Sequence, residues 1–215
     1  KRNFEEDVFF FFFKEGKTIN LTNTGVTESG PIWPGDGKYI YFTSQRLKPS
    51  YPTGMSSAKV YRLPLEKMDE PYRFDKYNDL FKEEKKDTAK KAAANTDSLK
   101  TITIDMDLIM ERLEQISPSF GSQFLQAVYQ KGEKTTVLYT SNHSEGKNAL
   151  WKTVIEPFEQ NKTEKIAGAD NSFSFDIVEV SDKLYVLSAG GINKLNLDAN
   201  KIDPVNISYT FRRNL

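Results

Sequence analysis

The feature that most constrains the fold of this 215-residue chain is a repeated order of strand-forming segments. A turn at Asp36-Gly37 is followed by an apolar, aromatic segment over residues 38–44 and, after a polar loop, by an alternating segment over residues 58–65. The same order returns at residues 132–141 with 149–155, and at residues 181–188 with 191–197. β-Branched and aromatic residues that alternate with polar ones are typical of β-strands. The repeat therefore predicts one supersecondary unit used several times.

Each unit ends in a short hairpin, whose turns fall at residues 14–17, 159–162 and 198–201. Two strands followed by a hairpin make a four-stranded antiparallel sheet, and the last two copies are spaced close to the ~40–45 residues of a propeller blade. We therefore predict an all-β fold of β-propeller blades. The predicted boundaries are a partial blade over 1–24 and further blades over 25–117, 118–168 and 169–215.

Three and a half blades are fewer than the roughly 4–8 that close a propeller ring. The chain also begins at Lys1 and ends at Leu215 without a signal peptide or a terminating element. We therefore expect a partial propeller that is part of a longer polypeptide. Its open ends require further blades or another chain, because unpaired sheet edges are sites of association.

A charged segment interrupts the blade predicted over residues 25–117. Residues 82–98 are dominated by lysine, glutamate and alanine and contain few large apolar side chains. Such a segment cannot bury enough apolar surface to offset its loss of conformational entropy, which predicts a disordered or weakly helical insertion. The strand pattern recovers at Thr101–Ile104, which we predict as the outermost strand of this blade. Residues 107–113 fit a helical turn or a loop.

Composition excludes several classes of partner and site. Thirty Lys and Arg balance thirty Asp and Glu, so no net charge favours nucleic acid or an acidic membrane. The absence of cysteine excludes disulfides and thiolate zinc sites. The longest apolar run, Val8–Phe13, is too short to span a bilayer. No phosphate-binding or dinucleotide-binding fingerprint is present, and we predict no cofactor.

His143 is the only histidine and lies in the sequence Ser141-Asn142-His143-Ser144. A serine–histidine pair is typical of hydrolases, but a catalytic triad also needs a third group that holds the base, and oxyanion donors. In the repeat, His143 lies in a loop between two strands, where another copy has Gln45-Arg46. We predict a surface histidine whose imidazole rotates freely, and no catalytic residue.

Two other patterns have a functional and a structural interpretation. Asp105 and Asp107 would share one face of a strand, where two carboxylates can help to hold a divalent cation; without a calcium-loop glycine, a solvated strand end is favoured. The run Phe9–Phe13 suits a membrane or hydrophobic-ligand surface, but an inner strand buried on both faces explains it better. We assign no catalytic, cofactor-binding or metal-binding residue.

Residues Pro31–Ser44 read P-I-W-P-G-D-G-K-Y-I-Y-F-T-S. They resemble the TolB-like propeller repeat, P-x-W-S-P-D-G-K-x-I-x-F-x-S, with Pro34-Gly35 in place of Ser-Pro. The resemblance implies a propeller without indicating which one.

Further segments resemble tricorn-type serine peptidases of bacteria, namely the charged insertion after Val60–Leu65, Ile104–Asp107, Glu111-Arg112, Ile116–Gln123 and Ile207–Leu215. In that family two propellers precede a catalytic core and a PDZ domain. The resemblance implies the later part of the second propeller, a scaffold and a peptide channel or filter for a core beyond Leu215. The implied partners are peptide substrates, the remaining blades and that core, with self-association left open.

Two other functions stay open. One is a TolB-like propeller that serves as a protein–protein binding module in the cell envelope, and the other is the propeller of a prolyl-oligopeptidase-like enzyme. The sequence beyond Leu215 distinguishes the three functions. A PDZ domain indicates the tricorn-type peptidase, a Gly-x-Ser-x-Gly elbow indicates the prolyl-oligopeptidase-like enzyme, and a nearby stop codon indicates the binding module. We expect a periplasmic or otherwise extracytoplasmic location, with the cytoplasm left open.

Overall fold

The computed structural model describes residues 6–47, 57–67, 103–188 and 190–206. The insertion predicted over residues 82–98 and the segment Ile207–Leu215 lie outside these residues. The strands of the described part are β1 (Phe9–Phe12), β2 (Lys17–Asn20), β3 (Glu28–Ile32), β4 (Tyr39–Ser44), β5 (Lys59–Pro64), β6 (Glu114–Gln115), β7 (Gln123–Lys131), β8 (Lys134–Ser141), β9 (Ala149–Ile155), β10 (Lys162–Asp170), β11 (Asp176–Val180), β12 (Lys183–Ser188), β13 (Gly191–Asn196) and β14 (Lys201–Pro204).

Consecutive strands pair with each other in antiparallel order. β1 and β2 form a hairpin, β3 to β6 form a four-stranded sheet, and β7 to β10 and β11 to β14 repeat that arrangement. A 3-10 helix, Ile109–Arg112, precedes β6, in agreement with the helical turn predicted over 107–113. The strand pairs predicted from the repeat are therefore confirmed as β4–β5, β8–β9 and β12–β13.

The last two sheets are joined along their outer strands. β10 and β14 are parallel neighbours, with Ala167 opposite Lys201, so β7 to β14 form one sheet of eight strands. The Ala167 N–H donates to the carbonyl oxygen of Asn200 at 2.7 Å. Gly168, with φ +82°, lies in the irregular part of β10, where a Cβ atom would be 3.1 Å from the Ile202 side chain. This glycine lets β10 approach β14 closely.

Three apolar cores lie between successive sheets, because neighbouring residues of a strand point to opposite faces. The first core contains Phe10 and Leu21 of the hairpin region together with Phe42 and Leu63. The second contains Tyr41 and Val60 with Val137 and Tyr139. The third contains Leu138 and Leu150 with Val186 and Leu195. Burial of each large side chain contributes roughly 1.5–3 kcal/mol, so the stacking of sheets is the main source of stability.

Two predictions about individual strands are wrong. Thr103 and Ile104 lie in irregular backbone, and the outermost strand of the β3–β6 sheet is the two-residue strand Glu114–Gln115 instead. The phenylalanine run is buried on one face only: Phe10 is buried, whereas Phe9, Phe11 and Phe13 are 48%, 52% and 89% exposed. In the described residues only the Phe10 face of the hairpin packs on another sheet.

Candidate functional site

Three described connections at one end of the stacked sheets form what we call the loop face, defined by residues 116–122, 142–148 and 171–175; they are not all of the connections at that end. They follow β6, β8 and β10, which run in the same direction within their antiparallel sheets. Loops held at one end of a rigid sheet are a common place for binding residues. The loop face is therefore the candidate functional site.

A pocket of about 220 Å³ opens at this face within the β7–β10 sheet. Its lining residues are Ser144, Glu145, Lys147, Ala149, Trp151, Lys165, Asp170 and Asn171. Lys165 Nζ lies 2.6 Å from Asp170 Oδ1, and this hydrogen bond together with Glu145 raises the pKa of Lys165. The pocket thus presents an aromatic ring beside charges of both signs and suits a small polar group.

His143 packs against Trp151, which lines the pocket. The two ring centroids are 4.1 Å apart and tilted by 54°. His143 Nδ1 lies 2.7 Å from Ser141 Oγ, and burial lowers the pKa of the imidazole. The prediction of a loop position is confirmed by the strand bounds, but the prediction of a freely rotating ring is wrong, because Ser141 and Trp151 hold it from two sides.

Ser141 does not have the geometry of a serine nucleophile. Its side chain is completely buried, and its Oγ also receives hydrogen bonds at 3.2 Å from Gln123 Nε2 and at 3.2 Å from the backbone N–H of His143. A nucleophile must face the space in which a substrate carbonyl lies. The Ser141–His143 pair is therefore a structural contact in this conformation.

Gln123 connects Ser141 to the β3–β6 sheet. Its Nε2 also donates to the Phe120 carbonyl oxygen, and its Oε1 lies 3.2 Å from Ser117 Oγ. Ser117 Oγ in turn accepts a hydrogen bond of 2.9 Å from the Val60 N–H. Val60, Ser117, Gln123 and Ser141 are all buried, so the hydrogen bonds among them form in a low-dielectric environment in which an unpaired group is costly.

The loop 142–148 is pressed against the connection 116–122. Asn142 Oδ1 accepts the Ser122 N–H at 2.7 Å. Gly121, with φ +69°, faces the backbone of His143, where a Cβ atom would be only 2.7 Å away. Lys59 donates to the Gly121 carbonyl oxygen from the other side, and burial lowers the pKa of this lysine. Sheet β3–β6 therefore supports the loop that carries His143.

Asp105 and Asp107 are close together, but not on a strand as predicted. They lie in irregular backbone and a turn, in which the Asp107 N–H donates to Asp105 Oδ1 at 2.9 Å. Lys67 Nζ lies 2.6 Å from Asp107 Oδ2 and 3.6 Å from Asp105 Oδ2. The hydrogen bond from Asp107 and the charge of Lys67 lower the pKa of Asp105. A lysine thus occupies the position that the sequence left open for a metal ion.

No group of three or more potential metal ligands occurs among the residues that the structure describes. In the same part of the chain, no helix is long and apolar enough to cross a membrane.

A second buried polar group lies at the start of β3. Glu28 is almost fully buried; its Oε1 accepts the Thr24 hydroxyl at 2.8 Å, whereas its Oε2 has no hydrogen-bond partner among the described residues. Burial raises the pKa of this carboxyl group. The sequence analysis did not single out Glu28, Gln123 or Trp151. No sequence motif marks any of these three residues. The one available signal is the position of Glu28 beside apolar strands, which could have indicated a buried carboxyl group.

Stacked four-stranded antiparallel sheets, of which β3–β6 and β7–β10 each contribute alternate residues to two cores, define the β-propeller class and confirm the predicted fold. Comparison with solved structures agrees: the chain is similar to the tricorn protease, with a TM-score of 0.55 and 13% identity over 93% of this chain. The chain spans only 19% of the length of that protein. At this identity the similarity concerns the fold alone.

A weaker similarity is found with an alpha-L-arabinofuranosidase from Clostridium thermocellum, with a TM-score of 0.39 and 14% identity over 82% of this chain and 52% of that chain. Neither the family models nor the curated proteins give a match to the sequence.

Proposed function

We propose that this chain is a non-catalytic propeller segment of a tricorn-like serine peptidase. It acts as a scaffold and as a channel or filter through which peptides reach a catalytic core beyond Leu215. The observation that carries the proposal is the similarity to the tricorn protease over 93% of the chain, together with the tricorn-like sequence segments. The proposed location is periplasmic, and the proposed partners are the remaining blades, the core and peptide substrates.

The loop face is compatible with a role in contacting peptides rather than in cutting them. Ser141, the serine beside His143, is buried. The neighbouring pocket is lined by Trp151, Lys147 and Glu145, which a polar group of a peptide could contact from solvent. Serine-peptidase chemistry needs a nucleophile, a base and oxyanion donors in one cleft, and each is worth orders of magnitude in rate. Contacts alone need only an accessible surface.

The test is an assay of the purified chain against fluorescently labelled unstructured peptides, combined with the coding sequence beyond Leu215. We expect no cleavage by the chain or by its His143→Ala variant, and a core with a PDZ domain downstream. Turnover that survives repurification and disappears in His143→Ala would contradict the non-catalytic role. A downstream Gly-x-Ser-x-Gly elbow or an early stop codon would instead favour the oligopeptidase or the binding-module alternative.

A further inference from the structure

A chain of hydrogen bonds with a fixed direction crosses from the β3–β6 sheet to the β7–β10 sheet and ends on His143. The Val60 N–H donates to Ser117 Oγ, and the Ser117 hydroxyl donates its one proton to Gln123 Oε1. The amide of Gln123 cannot be reversed, because its Nε2 also faces the Phe120 carbonyl oxygen, which can only accept. The direction of donation along this series of hydrogen bonds is therefore fixed by Gln123, before the series reaches Ser141.

The last links determine which nitrogen of His143 carries a proton. Ser141 Oγ accepts two N–H groups, from Gln123 Nε2 and from the His143 backbone, and these occupy its two acceptor positions. Its hydroxyl proton must then go to His143 Nδ1, 2.7 Å away. Nδ1 is therefore the acceptor, and the neutral imidazole carries its hydrogen on Nε2.

Protonation of Nδ1 is incompatible with this arrangement. Three N–H groups would then point at Ser141 Oγ, which can accept only two, and the Ser141 hydroxyl would lose its acceptor. We propose that His143 is a pH-sensitive switch: its neutral form holds the loop 142–148 against the connection 116–122, and its protonation releases that loop and moves Trp151, which packs on His143 and lines the pocket.

Among the described residues, the charged groups on the elements around His143 are engaged elsewhere or lie along its own loop. Lys59, on β5, donates to the Gly121 carbonyl oxygen, and Glu145 and Lys147 lie farther along the loop. Lys165 and Asp170, on β10, form an ion pair beyond Trp151. Burial is the cause that lowers the pKa of His143, in the direction that the hydrogen-bond geometry requires.

The experiment is an NMR titration, which is unambiguous because the chain has one histidine. The ring nitrogen and carbon resonances of the unmodified chain should show the Nε2–H tautomer and a pKa below 6.5. In a Trp33→Phe background, the emission of Trp151, the other of the two tryptophans, should change with the same midpoint. An Nδ1–H tautomer, a pKa of 6.5 or above, or an emission that does not follow the titration would overturn the proposal.

Ser141→Ala tests the link itself. Loss of the hydroxyl removes the hydrogen bond that stabilises the neutral ring, so the pKa of His143 should rise toward its ordinary value. Ser174→Ala is the matched control, because Ser174 is an exposed serine in the neighbouring connection 171–175 and does not line the pocket, and it should leave both the pKa and the Trp151 transition unchanged. An unchanged pKa of His143 in Ser141→Ala contradicts the proposed switch. If that variant does not fold, the tautomer of His143 in the unmodified chain still decides, because an Nδ1–H tautomer overturns the proposal.

Discussion

Gly121 lies where the connection 116–122 meets the loop that carries His143. It combines a left-handed backbone, φ +69°, with a space in which a Cβ atom would be 2.5 Å from Asn142 Oδ1. We expect Gly121→Ala to lower the free energy of unfolding by about 2–4 kcal/mol, since both the backbone and the contact are strained. Urea unfolding monitored by circular dichroism measures the loss.

Gly132→Ala provides the control for Gly121→Ala. Gly132 has a similar φ of +62°, but nothing lies within 4 Å of its missing Cβ atom. The substitution should therefore cost only the backbone penalty, about 1 kcal/mol. Equal losses in the two variants would show that the contact with loop 142–148 contributes nothing.

Glu28 should make stability depend on pH in an unusual direction. Burial raises the pKa of Glu28 in the folded protein above 4.5, the ordinary value for a glutamate in the unfolded chain. Well below pH 4.5 the carboxyl group is protonated in both the folded and the unfolded state, so its titration does not change the free energy of unfolding there. As the pH rises above 4.5, the unfolded state loses its proton first, so the contribution of Glu28 to stability falls until the pH passes its folded-state pKa. Most carboxyl groups in proteins behave in the opposite way.

Glu28→Gln removes this titration and keeps an oxygen for the Thr24 hydroxyl. The stability of the variant relative to the unmodified protein should therefore increase as the pH rises above 4.5. Urea unfolding at a series of pH values measures the difference between the two curves. Parallel curves, or a difference that shrinks with rising pH, would contradict a buried, proton-binding Glu28.

At the scale of single elements, the β1–β2 hairpin shows what the sequence predicts and what it hides. The turn and the two strands follow from the sequence, because Gly16 stands between two strand-like segments. Which face of the hairpin is buried does not follow from the sequence, since five consecutive phenylalanines do not alternate with polar residues and therefore do not indicate an exposed face. Only the packing of Phe10 against the β3–β6 sheet separates the two faces.

Substitutions in this hairpin should therefore have opposite consequences on neighbouring positions. Phe10→Ala should lower the free energy of unfolding by about 3–5 kcal/mol, because it empties part of a core. Phe11→Ala should change it by only about 0.5 kcal/mol, because Phe11 is half exposed. Thermal or urea unfolding of the two variants compares them directly. A large loss of unfolding free energy in both variants would instead support the prediction from the sequence that the strand is buried on both faces.

The outermost strands are the elements that the sequence predicts least well. Glu114–Gln115 has only two residues, both polar, and so carries no periodic pattern. The parallel contact of β10 with β14 is also invisible in the sequence, because it joins two strands whose own patterns are complete without it. The inner strand pairs, in contrast, were predicted because their β-branched and aromatic residues repeat.

At the scale of the whole molecule, Lys152 joins the β7–β10 sheet to the β11–β14 sheet. Its Nζ, on a side chain that is only 6% exposed, donates to the Leu197 carbonyl oxygen at 2.5 Å and lies 3.2 Å from Glu164 Oε2. We expect Lys152→Ala to cost about 1–3 kcal/mol, because a partly buried carbonyl loses its donor and the lysine stem loses its packing.

Lys165→Ala is the control for Lys152→Ala, since it removes an ion pair on the neighbouring strand β10 whose partners are both more than 40% exposed. Exposed pairs contribute about 0–1 kcal/mol, so this variant should unfold close to the unmodified protein. Urea unfolding measures both variants. Equal stabilities of the two would mean that Lys152 does not hold the sheets together.

The candidate site as a whole could be predicted only in part. The sequence placed His143 in a loop next to Ser141, because turn residues and strands flank it. It could not predict that Gln123, 18 residues before Ser141, reaches the same oxygen, because that contact depends on the register of β7 with β8. The two-residue turn at Gly132-Glu133 sets the register of this hairpin, but a bulge between Leu125 and Ala127 shifts it by one residue, and no local pattern marks that bulge.

The contact between β10 and β14 has a consequence for hydrogen exchange. The amide of Ala167 has its acceptor, Asn200, in the turn that precedes β14, so it is protected only while β11–β14 stays folded against β10. The amide proton of one residue in β10 thus reports the opening of a different sheet. If the last sheet opens as a separate cooperative unit, Ala167 will exchange with that unit and not with the strand to which it belongs.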